Sequence, residues 1–258
     1  MAAAALSPDP FRLDAKRALV TGASRGIGRS AAEALAAAGA RVAVNYARST
    51  AEAEEAAAAI RALGAEAVVE QADVADAGAV AGLFERLRDR WGGVDIVVNN
   101  AAVVRDAYVM MMTLEAWDEV LAVNLRAAFL CTRQALRPMI RQKWGRIINV
   151  ISPAALLGRD GAANYAAAKG GLLSFTKSLA REVGRYGITV NAVCPGLVET
   201  RMIARLPAAD RQRFHQQIAL GRFGETVEVA QAIRFLASPA ASYTTGATLT
   251  VDGGLMMA

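Results

Sequence analysis

Tyr165-Ala-Ala-Ala-Lys169 sets a phenol and an ammonium four residues apart. On a helix that spacing puts both side chains on one face. An ammonium near a phenol favours the phenolate and draws its pKa from about 10 towards the working pH. A proton donor to a carbonyl under reduction needs that property. Alone, such a pair is usually an exposed helix pair. Ser152 changes the weighing, because it ends the apolar run Arg146-Ile-Ile-Asn-Val-Ile151 and its hydroxyl can bond a substrate oxygen.

A second constellation lies near the amino terminus. Thr21-Gly-Ala-Ser-Arg-Gly-Ile-Gly28 follows a short apolar run and opens a helical stretch. Gly22, Gly26 and Gly28 allow a tight turn and a close approach of backbone to a pyrophosphate, while a helix start offers free N–H groups. The spacing G-x-x-x-G-x-G differs from the commoner G-x-G-x-x-G, so its placement between strand and helix carries the argument. Sheets that bind NAD place an acid at the end of the second strand for the ribose 2′-hydroxyl. Here that strand ends Asn45-Tyr-Ala-Arg48, with no acid until Glu52. Arg25 is suited to pair with a 2′-phosphate, with Arg48 as a helper, and NADP(H) is the expected cofactor.

These residues need a frame, and β-branched runs alternating with Ala-rich helical stretches supply one. Strands are predicted at Ala18–Thr21, Arg41–Asn45, Ala67–Glu70, Val94–Asn99, Arg146–Ile151, Ile188–Val193 and Ala247–Val251. Helices are predicted at Ile27–Ala38, Thr50–Leu63, Ala77–Trp91, Leu114–Gln142, Ala162–Val183 and Glu225–Ala237. Apolar strands without polar alternation suit a parallel sheet covered on both faces. The expectation is a doubly wound α/β fold: seven parallel strands, helices on both faces, ligands at the carboxyl ends. Residues 1–10 are expected to form a tail and 11–258 one domain, with a polar, amphipathic insertion at about 197–222.

Composition excludes several alternatives. Of the 258 residues, 54% are hydrophobic and 21% charged, which rules out disorder. Two cysteines, Cys131 and Cys194, without a CxxC pair, and one histidine, His215, leave no disulfide framework, metal site or Ser-His-Asp hydrolase. The charge of +5 is scattered, so neither nucleic acid nor membrane is an expected partner. A chain without a basic, apolar leader or a spanning run is expected in the cytoplasm. His215 is expected to face solvent, and both cysteines to be small buried hydrophobes. Met110–Met112 read as core, a lid, or the lining of an acyl pocket.

Several motifs in this order resemble the short-chain dehydrogenases/reductases, most nearly the 3-oxoacyl-[acyl-carrier-protein] reductases, from about Phe11 to Met257. They are the TGASRGIG loop, Asp73-Val74, Asn99-Asn100-Ala101, Asn124 in Val-Asn-Leu, Ser152, Tyr165/Lys169, Cys194-Pro195-Gly196-Leu-Val198-Glu-Thr200 and Val251-Asp-Gly-Gly254. The resemblance implies catalytic roles for Ser152, Tyr165 and Lys169, with Asn124 holding a water in a proton relay. It implies adenosine-phosphate contacts for Ser24 and Arg25, in a loop completed by Gly26, Ile27 and Gly28. Asp73 and Val74 would flank the adenine, and Asn100 and Ala101 would lie along the ribose. Val198 and Thr200, after Pro195 and Gly196, would contact carboxamide and diphosphate, and Lys169 would also hold the ribose hydroxyls.

The implied activity is NADPH-dependent reduction of a ketone, most nearly a 3-oxoacyl thioester, in fatty acid or polyketide synthesis. A reductase of a free sugar, steroid or secondary metabolite is the alternative, and a silent nucleotide-binding scaffold a lesser one. Two departures stand out: Ala102 replaces a glycine, and Pro153 follows Ser152. Lys143, Arg146 and Arg185 form a candidate docking patch for an acidic acyl carrier protein, although Tyr186 stands where relatives often carry arginine. The last strand, the tail Leu255–Met257 and the two longest helices imply more apolar surface than a monomer covers, hence a homotetramer.

Overall fold

A computed structural model describes residues 9–201, 203–205 and 208–257 of the chain. Its elements run in the order β1 (Arg17–Val20), α1 (Gly26–Ala37), β2 (Arg41–Tyr46), α2 (Thr50–Ala62), β3 (Ala67–Gln71), α3 (Ala77–Trp91) and β4 (Ile96–Asn99). There follow α4 (Leu114–Leu121), α5 (Ala127–Gln142), β5 (Gly145–Val150), α6 (Ala154–Leu157) and α7 (Ala163–Val183). The chain continues through β6 (Ile188–Pro195), α8 (Ala208–Gln217) and α9 (Thr226–Ala237) to β7 (Thr248–Val251). The strands form one parallel sheet in the order β3-β2-β1-β4-β5-β6-β7. Strand order reverses between β1 and β4, which opens a crevice at their carboxyl ends.

The apolar strand sequences follow from burial on both faces. Val20, Val44, Val98 and Ile148 pack under α1, α2 and α9. Leu19, Val97, Ile147 and Val190 point the other way, under α3, α5 and α7. Alanine dominates α1, at Ala31, Ala32 and Ala36, and its small side chains let the helix lie close to the sheet and to α9. Ser30 bonds Thr226 across that contact at 2.7 Å. Asp76 caps α3 by accepting from the Ala79 N–H, and Gly92 ends the helix with φ of +79°, a left-handed stop that glycine makes without strain.

One predicted helix is two. Between α4 and α5 the backbone of Ala122–Arg126 widens into a single π-turn, with Asn124 inside it. Such a turn frees main-chain groups and frequently marks a functional position. The predicted tail of residues 1–10 lies outside the described residues except for Asp9 and Pro10, and Pro10 is fastened by the Ala240 N–H to its carbonyl at 3.0 Å. The predicted insertion is closed at its base, where Val198 pairs with Gly224 and the Glu199 N–H bonds the Gly224 carbonyl. It carries α8, on which His215 is half-buried and not fully solvent-facing: its ring meets Phe223 edge-on at 4.3 Å and its Nε2 is covered. Cys131 and Cys194 are buried thiols, as expected, and burial pushes each up to about 12. Among the described residues no helix is long and apolar enough to cross a membrane.

Candidate active site

Two clusters meet at the carboxyl edge of the sheet. In the first, β1 turns through Gly22 into α1. Gly22 has φ of +62°, and a side chain there would come within 3.0 Å of the Ala101 backbone. Gly28 is tighter still: a Cβ would fall 2.4 Å from both the Gly22 carbonyl and the Asn100 amide. The turn is therefore built for glycine. Asn100 fastens it by donating to the carbonyls of Thr21 and Gly22 at 2.9 and 3.1 Å, while the Thr21 hydroxyl accepts from the N–H groups of Asn100 and Ala101. Arg25 precedes α1 in extended conformation and no side chain caps the helix, so its first N–H groups remain available. Thr200 lies over this loop, its methyl 3.8 Å from where a Gly26 side chain would begin. A bare glycine turn, an uncapped helix and a facing threonine fit the phosphates of a dinucleotide.

The other expected cofactor residues fall into two groups. Ser24, Ile27, Asp73, Val74, Ala101 and Val198 all lie on loops or ends at this edge, with Val74 and Val198 buried and Asp73 exposed. Gly196, after Pro195 closes β6, leaves room for Asp252, which a Cβ would approach to 2.6 Å. Asn45 departs from its expected role. Its side chain is buried and donates to the Glu70 and Ala72 carbonyls at 3.1 Å each, while its oxygen accepts from the Gly22 N–H. It braces β2, β3 and the glycine loop and has no amide hydrogen left for a ribose. Arg48 is exposed beyond β2, and Arg25 reaches Glu52 at 3.4 Å, a carboxylate it shares with Arg201. The partnership of Glu52 and Arg201 across the groove carries no signal in the sequence.

The second cluster is held by a polar relay through the core. Asn99 on β4 donates to Asn149 on β5 at 2.8 Å, Asn149 to Thr176 on α7 at 2.8 Å, and Thr176 to the Leu172 carbonyl at 2.8 Å. The relay fixes α7 against the strands, and α7 carries Tyr165 and Lys169. Lys169 is 2% exposed, and its ammonium donates to the Val150 carbonyl at 2.7 Å. It stands 5.7 Å from the centre of the Tyr165 ring. Ser152 lies close enough to the tyrosine for its hydroxyl to draw the phenol downward. Burial outweighs that effect and holds Tyr165 above its ordinary value, while burial drives Lys169 down to about 8. This reverses the sequence expectation for the chain alone. Desolvation opposes both charged forms and is the largest influence on each.

Asn124 sits beside this pair with its amide donating to the Val103 and Val120 carbonyls at 2.9 Å, and its buried Oδ1 has no protein partner. An unpaired buried acceptor suits an ordered water. Neither departure strains the backbone. Ala102 is exposed and no left-handed backbone is needed there. Pro153 stands just before α6 as its N-cap, with a φ of −48° that suits a helix start. Around the mouth, Met110 and Met111 are 89% and 72% exposed, and Leu156 and Leu157 are exposed on α6. The methionines are therefore exposed on the loop after β4 and not core.

A crevice of this kind, with a serine, tyrosine and lysine converging at its edge, defines a nucleotide-dependent oxidoreductase of the short-chain dehydrogenase/reductase family, and the chain belongs to it. The family model described as enoyl-(acyl carrier protein) reductase matches residues 22–256. A 3-oxoacyl-[acyl-carrier-protein] reductase of Synechocystis is 48% identical over 95% of this chain and 98% of its own. The 3-oxoacyl-[acyl-carrier-protein] reductase FabG of Escherichia coli K12 is 45% identical over 96% of this chain and all of its own. A gluconate 5-dehydrogenase from Burkholderia cenocepacia, solved with NADP and tartrate, is 38% identical, with a TM-score of 0.90, 96% of this chain and 97% of that one covered.

Proposed function

We propose that the chain reduces the 3-oxo group of an acyl thioester, carried on acyl carrier protein or CoA, to a secondary alcohol with NADPH. The observation that carries this reading is the convergence of Ser152, Tyr165 and Lys169 at the carboxyl ends of β5 and β6, behind an apolar lip. The lip of Met110, Met111, Leu156 and Leu157 suits an acyl chain better than a polyhydroxylated substrate. The names of the similar reductases point the same way.

In this reading the substrate carbonyl accepts hydrogen bonds from Ser152 and Tyr165. The bound nicotinamide supplies the hydride. Tyr165 gives its proton to the oxygen as negative charge develops there, and Ser152 steadies that charge. Lys169 holds the ribose hydroxyls and, through a water on the free oxygen of Asn124, returns a proton to Tyr165. The glycine loop and the first turn of α1 bind diphosphate with Thr200, Asp73 and Val74 bracket the adenine, and Arg25 binds the 2′-phosphate. Docking of an acidic carrier on Lys143 and Arg185, and a homotetrameric assembly, complete the proposal.

The test is NADPH oxidation on a panel of 3-oxoacyl thioesters and free ketones. Turnover is expected on acetoacetyl thioesters. Tyr165→Phe keeps the ring and removes the donor, so it is expected to abolish turnover while NADPH still binds. Preference for a free polyhydroxy ketone, as the gluconate dehydrogenase likeness would suggest, overturns the substrate assignment.

A further inference from the structure

Glu52, in the first turn of α2, is held between two arginines from distant parts of the chain. Its Oε2 lies 3.4 Å from Arg25 in the glycine loop, and its Oε1 is ion-paired to Arg201. Arg201 follows Thr200, whose methyl lies over Gly26, and so stands near the start of the insertion. That start is fastened: Val198 pairs with Gly224, and the Glu199 N–H bonds the Gly224 carbonyl at 2.8 Å. The side chains of Arg25 and Arg201 are 61% and 69% exposed, whereas that of the carboxylate between them is 23% exposed. Two solvent-facing guanidinium groups therefore converge on one point, from opposite sides of the groove.

We propose that Arg201 is a second ligand for the 2′-phosphate of the cofactor, supplied by the insertion, and that Glu52 is the carboxylate which this phosphate displaces; this rests on NADP(H) being the cofactor.

The charge balance at this point favours a phosphate. One carboxylate carries a single negative charge, and two guanidinium groups exceed it. A phosphate monoester carries about 1.5 to 2 negative charges and three acceptor oxygens, so it can accept from both arginines at once. A bare ribose hydroxyl offers neither, and it leaves Glu52 with its two partners. Exposed ion pairs of this kind are weak, so exchanging one for a phosphate costs the free chain little. The neighbouring charges are already engaged. Arg29 is paired with Glu33 along α1, and Glu54 with Arg61 along α2. Because Arg201 belongs to the insertion, the contact also joins that segment to the adenosine end of the cofactor.

The test is calorimetric titration of the full chain with two probes that lack the nicotinamide, adenosine 2′,5′-bisphosphate and AMP. Arg201→Gln is expected to weaken the bisphosphate about tenfold, the loss of one charge-assisted contact, and to leave AMP within about twofold. Glu52→Gln is expected to tighten the bisphosphate severalfold. The loss from Arg201→Gln is expected to persist in the Glu52→Gln background, with Arg201→Lys recovering part of it. An arginine that acts only by keeping Glu52 off Arg25 would have no effect in that background, and this outcome overturns the proposal. Equal weakening of both probes also overturns it, since it would put Arg201 on the 5′-phosphate. Unchanged AMP binding shows that each variant is folded. A wild type that prefers the bisphosphate, with Arg201→Gln equal to it, overturns the proposal and leaves the NADPH reading standing. A wild type that does not distinguish the probes overturns both.

Discussion

The ammonium of Lys169 is hydrogen-bonded to the main-chain oxygen of Val150, at the very end of β5, and both are sealed from solvent. A cation placed there is costly unless something compensates it. One carbonyl compensates only in part, so the folded chain releases the lysine proton at about 8, where the unfolded chain holds it to about 10.5. Between those values the unfolded state binds more protons than the folded one. Stability therefore rises with pH across that window, and below about 8 the cost is fully present. Lys169→Met removes the buried charge. Its stability relative to the wild type is expected to be most favourable at pH 7 and to decline by a few kcal/mol as pH approaches 10.5. Urea denaturation of both proteins at several pH values measures it, and a difference constant with pH would contradict the account.

Arg25 and Arg201 converge on Glu52, and the Arg201 contact foremost holds that carboxyl below its usual range. A 2′-phosphate arriving at Arg25 competes with this resident carboxylate. Arg25→Ala is expected to raise the KM for NADPH about tenfold and to leave NADH nearly unchanged, the loss of one charge-assisted contact. Glu52→Gln, which frees Arg25, is expected to lower the KM for NADPH severalfold. Initial rates with both cofactors decide it. A wild type that uses NADH more efficiently would overturn the cofactor assignment.

These two cases mark what the residues disclosed by themselves. The strand runs and the whole of α3 over Ala77–Trp91 followed from local pattern, because apolar period is a property of neighbouring residues. The glycine loop and the Ser152, Tyr165, Lys169 set were legible for the same reason. Asn45 was not: nothing local says that its amide would be consumed by β3 carbonyls. The π-turn at Asn124 was hidden inside a continuous helical pattern, and the protonation of Lys169 depends on burial, a property of the assembled core. The partnership of Arg159 with Asp106 joins loops 53 residues apart.

The carrier-docking patch shrinks on the structure. Arg146 is 3% exposed, donates to the Gly145 carbonyl and stacks on Trp144, so it cannot meet a partner. Lys143 and Arg185 are exposed, at the amino-terminal edge of the sheet. Exposed charges of this kind govern encounter with an acidic partner more than they govern turnover. Reversing both, Lys143→Glu with Arg185→Glu, is expected to raise KM severalfold for carrier-bound substrate and to leave a small thioester unaffected. Equal KM changes for the two substrates would remove docking from these residues.

Assembly rests on where apolar surface is left over. On the long helices it is confined to α4 and the start of α5, at Leu114, Trp117 and Phe129. The outer face of α7 is instead polar, with Ser174, Lys177, Ser178 and Arg181 exposed, so α7 contributes less apolar surface than its sequence suggested. At the other end β7 pairs only with β6, its four residues are half-buried or exposed, and Tyr243 and Met257 stand in solvent. An unpaired edge and an apolar helix face are surfaces that soluble chains cover. Two different self-complementary patches, each closed by a two-fold axis, generate a tetramer with D₂ symmetry. Phe129→Glu is expected to break the helix interface and Leu249→Lys to weaken the edge, each leaving dimers, and the double variant to leave monomers. Light scattering at micromolar concentration measures the mass. Loss of the helix interface is also expected to reduce turnover several-fold, because α4 and the π-turn with Asn124 lose their outer support. A fully active wild-type species of 27.1 kDa would show that this surface is tolerated in a monomer.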